Sequence, residues 1–334
     1  MIAGTVVASI PSPSKGTLDI GPLSIHAYGL MIALGVVAAV WLLGRRLEQT
    51  GAGTREDASS VSVWGVVAGI IGARLYHVAT DWSSFQHDLP RIVMIWRGGL
   101  GVPGGLLAGI GVGLWAGKRR GIAPAVLANA AAPAIPLAQA IGRWGNWFNQ
   151  ELFGKVTDLP WALRVSDSTA LAAGYPAGTT FHPTFLYESL WNLALCAVLL
   201  AIDRRWKVRP PRLMMMYLFG YGVGRFWVEG LRIDPADHIG GLRWNQWVAL
   251  AVAVASGVYL LVTARRQPND GVPVVGTDLY DPDDDLDDDL DDDLDDDLDD
   301  DLDDDLDDDL DDDQSESDPD DQSEYLAADE QRHD

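Results

Sequence analysis

The chain has 334 residues, 48% of them hydrophobic, with a formal net charge of −25 and a mean hydropathy of +0.03. The averages hide two unlike parts, since residues 1–267 carry 14 acidic and 23 basic side chains (net +9) and residues 268–334 carry 35 acidic side chains and one arginine (net −34), so charge is read per domain. Cys196 is the only cysteine, which excludes an intrachain disulfide and a cysteine metal cluster; the six histidines show no metal-ligand spacing, and no cofactor or nucleic-acid partner is expected.

The first residues, MIAGTVVASIPSPSKG, have no basic region ahead of their short apolar stretch and do not read as a cleaved signal peptide. A spanning helix needs ~20 mostly apolar residues. Seven segments meet or approach this: 27–43, 61–79, 99–117, 122–141, 183–202, 213–228 and 244–264. The predicted fold is therefore an all-α, polytopic membrane protein. Lysine and arginine favour the cytoplasmic side. Arg45, Arg46 and Arg55 follow the first segment, Lys118, Arg119 and Arg120 the third, Arg204 to Arg212 the fifth, and Arg265 and Arg266 the seventh. This places the N-terminus outside and the C-terminus inside.

That orientation gives each unusual residue a depth. The fourth segment runs outward without charge and ends on Arg143, in the stretch AIGRWGNWFNQELFGKV at 140–156. Tyr221, Arg225, Glu229 and Arg232 share one face of the sixth segment. Arg74 has a similar depth on the second. His26 and Tyr28 open the first segment from outside, and His182, Tyr187 and Glu188 open the fifth. Intramembrane arginines are costly and pair or serve a function, and their planar fork of donors suits phosphate. Arg74, Arg143 and Arg225 have Glu151 and Glu229 as their evident partners, and the anion available at that depth is a phospholipid headgroup. The competing reading is an arginine–glutamate lattice that pins helix ends. Trp144 and Trp147 read as part of an aromatic belt.

The stretch GRWGNWFNQELFG at 142–154 resembles the signature of the prolipoprotein diacylglyceryl transferases. IHAYGL at 25–30, GARLYHV at 72–78, WRGGLGVPGG at 96–105, HPTFLYE at 182–188 and GYGVGRFWVEGLR at 220–232 match that family's other motifs in order, over about residues 20–265. The resemblance implies a seven-helix enzyme of the bacterial inner membrane, with its active site toward the outer face. Such an enzyme moves the diacylglyceryl group of phosphatidylglycerol onto the lipobox cysteine of a preprolipoprotein, forms a thioether and releases glycerol 1-phosphate. It further implies that Arg143 and Arg225 are the essential arginines, with Asn146, Glu151 and Gly154 beside the first, Tyr221 and Glu229 beside the second, and Tyr28 on the first helix. Many members carry a histidine in the Gly-rich stretch, where this chain has Pro103.

Arg143 and Arg225 are thus expected to clamp the phosphate, with Arg74 a further binding residue. Asn146 and Tyr28 would position hydroxyls, and Glu151 would orient Arg143. The base is open between His26 and a thiol acidified by the arginine field. His182 is expected to cap the fifth helix. Gly99, Gly101 and Gly104 spell GxGxxG without a preceding strand, so no dinucleotide site is expected. Gly105, Gly109 and Gly113 are expected to allow close helix packing, and Cys196 to be a small apolar filler. Met214, Met215 and Met216 are read as packing or lipid-facing. From Asp283 the unit DDDL repeats; aspartate is a weak helix former and like charges at i,i+4 repel. Residues 268–334 are therefore expected to be a disordered, acidic cytoplasmic tail, separate from a membrane domain at 1–267. The main alternative is a transporter or binding protein for an anionic lipid or solute, which predicts broken helices, repeated halves and charges nearer the midplane.

Overall fold

A computed structural model describes residues 9–20, 23–86, 88–95 and 98–264. The acidic stretch 268–334, Arg265, Arg266, Trp96 and Arg97, all used in the sequence reading, lie outside the described residues.

Each apolar segment holds a helix. These are α1 (Ala27–Thr50), α2 (Arg55–Thr80), α3 (Val102–Lys118), α4 (Pro124–Ala131) with α5 (Ala134–Asn149), α7 (Thr184–Trp206), α8 (Arg212–Leu231) and α9 (Trp244–Ala264), while a short α6 (Asp167–Ala172) lies between α5 and α7. α1, α2, α7 and α9 are long and apolar enough to cross a membrane, and the α4–α5 pair makes a fifth candidate. α3 has only 17 residues, and α8 carries Arg225 and Glu229 within its apolar run. Val102, Leu107 and Leu261 expose more than 70% of their surface. Such side chains on long apolar helices match lipid contact rather than water.

Local chemistry sets the breaks. Gly51 leaves α1 at φ 70°, and Thr54 and Asp57 form a capping box at the start of α2. The expected single segment 122–141 is instead two helices bent by 43°. Pro133 and Pro136 stand at and just after the break, and each lacks the N–H that would continue the backbone ladder. α5 then continues past Gly142 to Asn149.

α2 and α3 meet through glycines. A Cβ on Gly105 or Gly109 would lie 3.1 Å from the carbonyl oxygen of Gly69 or Gly65, respectively, so the two backbones touch as the glycine spacing predicts. Cys196 is buried among Leu42, Leu47, Val126 and Ala130, as a small filler would be. Met214 and Met216 pack around Leu213 and Tyr217.

The described residues are mostly helical, as expected, and seven short strands lie among them besides. β1 (Ser9–Pro11) pairs in parallel with β4 (Ala162–Arg164), and β4 pairs antiparallel with β5 (Thr180–Phe181). β2 (Thr17–Ile20) and β3 (Leu23–His26) make a ribbon leading into α1. β6 (His238–Ile239) and β7 (Leu242–Arg243) make a hairpin between α8 and α9, turned by Gly240 and Gly241, both at positive φ. The three-stranded sheet forms because the long connection between α5 and α7 brings enough apolar residues for its own small core: Phe153, Leu163, Val165, Ala170 and Phe181.

Candidate functional site

The site begins where α5 ends. Gln150 and Leu152 take left-handed backbone conformations, and the Glu151 N–H donates back to the Asn146 carbonyl. The turn returns the Glu151 carboxylate to the helix, where Oε1 accepts from Asn146 Nδ2 at 2.8 Å and from Asn149 Nδ2 at 3.4 Å. Gln150 fixes the turn from outside, donating to the Pro13 carbonyl and accepting from Ser166 N.

Arg143 reaches the next helix. Its Nη1 donates to Asn146 Oδ1 at 3.4 Å, and its Nη2 lies 2.6 Å from Glu188 Oε2 on α7. The other oxygen of Glu188 lies 3.4 Å from Arg225 Nη1 on α8. Arg225 Nη2 is 2.8 Å from Glu229 Oε2. Glu229 is fully buried, and its Oε1 accepts from Arg243 Nε at 2.8 Å and Asn245 Nδ2 at 3.2 Å. Arg232 and Arg243 both grip Asp234, at 2.7 and 2.9 Å. One lattice therefore joins α5, α7, α8 and α9. Four arginines face four carboxylates, Glu151 entering through Asn146.

The network has an open and a closed end. The side chains of Arg143 and Arg225 keep 22% and 16% of their surface exposed, against 7% for Arg232 and 6% for Arg243. A bound anion can therefore reach the first pair and not the second. At the closed end, burial works to raise the Asp234 pKa. The hydrogen bond and charge of Arg232, with the charge of Arg243, outweigh it and hold the carboxyl below its ordinary value.

The other expected site residues fall unevenly. Tyr28 is half-buried and lies against Gly145, where a Cβ would sit 2.7 Å from the ring, next in sequence to Asn146. Gly154 is a crossing point: a Cβ there would meet His182 Cβ at 2.8 Å and the Leu231 carbonyl at 3.1 Å, and its N–H donates to the His182 carbonyl. Tyr221 lies one turn from Arg225, stacked on Tyr217 with centroids 5.8 Å apart. His26 is exposed at the start of α1 and makes no capping hydrogen bond.

Two expected roles differ. Arg74 is not brought to the network. Its guanidinium donates to the carbonyls of Ile92 (2.8 Å), Gly98 (2.7 Å), Gly99 (2.8 Å) and Arg91, and stacks over Phe85. Four carbonyls satisfy it as well as a carboxylate would. Nor does the His182 side chain cap α7. Its Nδ1 instead pairs with Tyr187 Oη at 3.0 Å, and Tyr187 Oη accepts from Trp161 Nε1 at 3.1 Å. Burial, and then the charge of Lys155, lower the His182 pKa and favour the neutral ring. The sequence places Glu188 and Arg232 by depth but assigns them no role, and Arg243, Asp234 and Asn245 complete the network without being singled out there. Glu188 had a signal, an acid five residues inside an apolar segment, which is as anomalous as an intramembrane arginine.

Residues 15–263 match the family model described as prolipoprotein diacylglyceryl transferase. The chain is 46% identical over 266 residues to phosphatidylglycerol–prolipoprotein diacylglyceryl transferase 1 of Streptomyces coelicolor, covering 78% of this chain and 76% of that one. It is 48% identical over 272 residues to the phosphatidylglycerol–prolipoprotein diacylglyceryl transferase of Frankia alni, covering 80% and 71%. Against the Cutibacterium acnes protein of the same name it is 47% identical over 269 residues, covering 79% and 90%.

Proposed function

The chain belongs to the prolipoprotein diacylglyceryl transferase family, and from that premise we propose that it transfers the diacylglyceryl group of phosphatidylglycerol to the lipobox cysteine of preprolipoproteins. The observation that carries this reading is the junction of Arg143 and Arg225 on Glu188, with both guanidinium groups partly exposed.

The cysteine thiolate attacks the glycerol carbon that bears the phosphate. The S–C bond forms, the C–O bond breaks, and the leaving glycerol 1-phosphate takes the electron pair. Arg143 and Arg225 hold the phosphate and stabilise the charge it gains, the usual electrostatic route to rate. Glu188 keeps both forks aimed before the phosphate arrives. Glu229 anchors Arg225 from behind, with Tyr221 one turn away on the same helix. Glu151 acts on Arg143 through Asn146 rather than directly. Asn146 and Tyr28 position hydroxyls, and Gly154 allows the close approach of the α5–α7 connection to α8. Arg74 contributes through the loop it holds. A free thiol has a pKa of ~8.5; its proton leaves either to His26 or to water under the arginine field, and His26→Ala separates the two.

In this reading the helices, with α4–α5 as one, cross a bacterial inner membrane seven times. The N-terminus and the arginine junction lie toward the outer face, and residues 268–334 form a separate acidic tail in the cytoplasm. Supporting it, basic residues gather at the ends of α1, α3 and α7, and 17 residues of α3 span ~26 Å of a hydrocarbon core of ~30 Å. The test is mass spectrometry of a lipobox peptide incubated with purified protein and phosphatidylglycerol. A diacylglyceryl gain on cysteine that Arg143→Ala abolishes is the expected result, and no gain with folded protein overturns the reading.

A further inference from the structure

From Glu188, α7 continues to Trp206, ~27 Å away along the helix at 1.5 Å per residue. At that far end the last turn of α7, the first turn of α8 and the end of α9 surround a cavity of about 380 Å³. Ile202, Met216 and Ala264 give it apolar walls, Arg209 and Arg212 give it two guanidinium groups, and the half-exposed Trp206 lies beside them. The Nε of Arg212 is buried and has no hydrogen-bond partner among the described residues. A buried donor left unmade is costly, more so when charged. Among the described residues the surrounding charge is uncompensated as well. Between 203 and 212 the sequence holds Arg204, Arg205, Lys207, Arg209 and Arg212, and its one acid, Asp203, lies 3.0 Å from Arg46. None of those five basic residues forms an ion pair with a described residue. A neighbouring cavity of about 350 Å³ differs in kind, because its buried Arg46 is already bonded to Asp203 and to the Ala130 carbonyl.

We propose that the Arg209–Arg212 cavity is a second phospholipid site, which takes the phosphate of an anionic lipid on its arginines and the start of an acyl chain along Ile202, Met216 and Ala264. Arginine forks recognise phosphate oxygens, and tryptophan suits the headgroup level. Free phosphate would leave the apolar walls without a role. The proposal rests on the membrane reading only in needing lipid at this end of the helices. It needs nothing of the transferase chemistry, so the two fail separately.

The experiment is native mass spectrometry of the full chain in detergent, titrated with phosphatidylglycerol, together with the transferase assay. The wild type is expected to hold two lipids. In Arg209→Gln/Arg212→Gln the concentration needed for one of them rises at least fivefold while the other binds as in the wild type, which also shows that the fold is intact, and kcat is unchanged. Arg212→Lys keeps the charge but not the Nε donor and shows the same loss. Arg45→Gln/Arg119→Gln removes two basic residues that stack on Trp41 and Trp115 outside the cavity and leaves both lipids bound. An equal loss in that control would mean diffuse attraction and overturn the proposal. So would an unchanged titration in the first two variants, or full displacement of the lipid by millimolar inorganic phosphate.

Discussion

Glu188→Gln tests whether the carboxylate at the junction organises the two arginines. The side chain is buried, with its oxygens 2.6 Å from Arg143 Nη2 and 3.4 Å from Arg225 Nη1. Removing one member of a buried ion pair costs roughly 3–5 kcal/mol, and because glutamine still accepts a hydrogen bond, about 3 kcal/mol is expected. The 13 tryptophans report unfolding in detergent, best expressed as a half-life at fixed temperature. The kinetic effect has two opposed parts. A phosphate held by these arginines lies about 5 Å from the carboxylate, and like unit charges at that distance repel by about 3 kcal/mol at an effective dielectric constant of 20. The variant loses that repulsion, so KM for phosphatidylglycerol stays level or falls. It also frees both forks, and a misplacement of about 1 Å costs on the order of 100-fold in rate. The expected result is therefore kcat down roughly 100-fold, KM not raised and a shorter half-life. A variant with wild-type kcat, or with KM raised alone, refutes the reasoning.

Arg143→Lys keeps the charge and loses the fork, and kcat/KM is expected to fall at least tenfold in the lipobox-peptide assay; full activity would remove the bidentate clamp. Asp234, held below its ordinary pKa by Arg232 and Arg243, contributes stability that is present above its unfolded value of about 3.9 and is lost as pH falls through the lower folded value. Asp234→Asn should therefore be less stable than wild type at pH 7 and lose less on acidification below about pH 4, read from unfolding half-lives. Gly72→Ala puts a Cβ 2.4 Å from Ala108 Cβ and 2.6 Å from the Gly104 carbonyl, which forces α2 from α3 at about 1–3 kcal/mol. Gly111→Ala on α3 meets nothing within 4 Å and is expected to be neutral or to gain up to about 1 kcal/mol. Thermal unfolding of the two variants side by side checks both.

Hydropathy located every long helix but misjudged where most of them end. The apolar run 27–43 marks what lipid would cover, whereas α1 continues to Thr50 because its backbone ladder does not depend on the solvent around the side chains. α2 likewise starts at Arg55, six residues before its apolar run, because Thr54 and Asp57 cap it there. The break at Pro133 was written in the sequence, since two prolines three apart cannot both be accommodated in an unbroken ladder. The strands were not legible. Each has two to four residues, too few for period-two alternation, and β1 finds its partner about 150 residues away in β4.

The same division between local and distant information explains the site. Arg143, Asn146 and Glu151 belong to one short stretch of chain, and their contacts follow from the end of α5. Glu188 and Arg243 come from other helices, so their choice of partner is settled only by packing. Depth alone misleads here, as Arg74 shows. The sequence gives Arg74 and Arg225 similar expected heights along their segments, but height says nothing about direction around the helix axis. α2 spends its glycine face on α3, and Arg74 is turned toward the loop at 91–99 that leads into that helix. α8 packs against α7 and α9, so Arg225 meets Glu188 on one side and shares Glu229 with Arg243 on the other. A buried guanidinium is satisfied by four carbonyls, as at Arg74, or by two carboxylates, as at Arg225. What sets Arg225 among carboxylates and Arg74 among carbonyls is therefore which helices are neighbours.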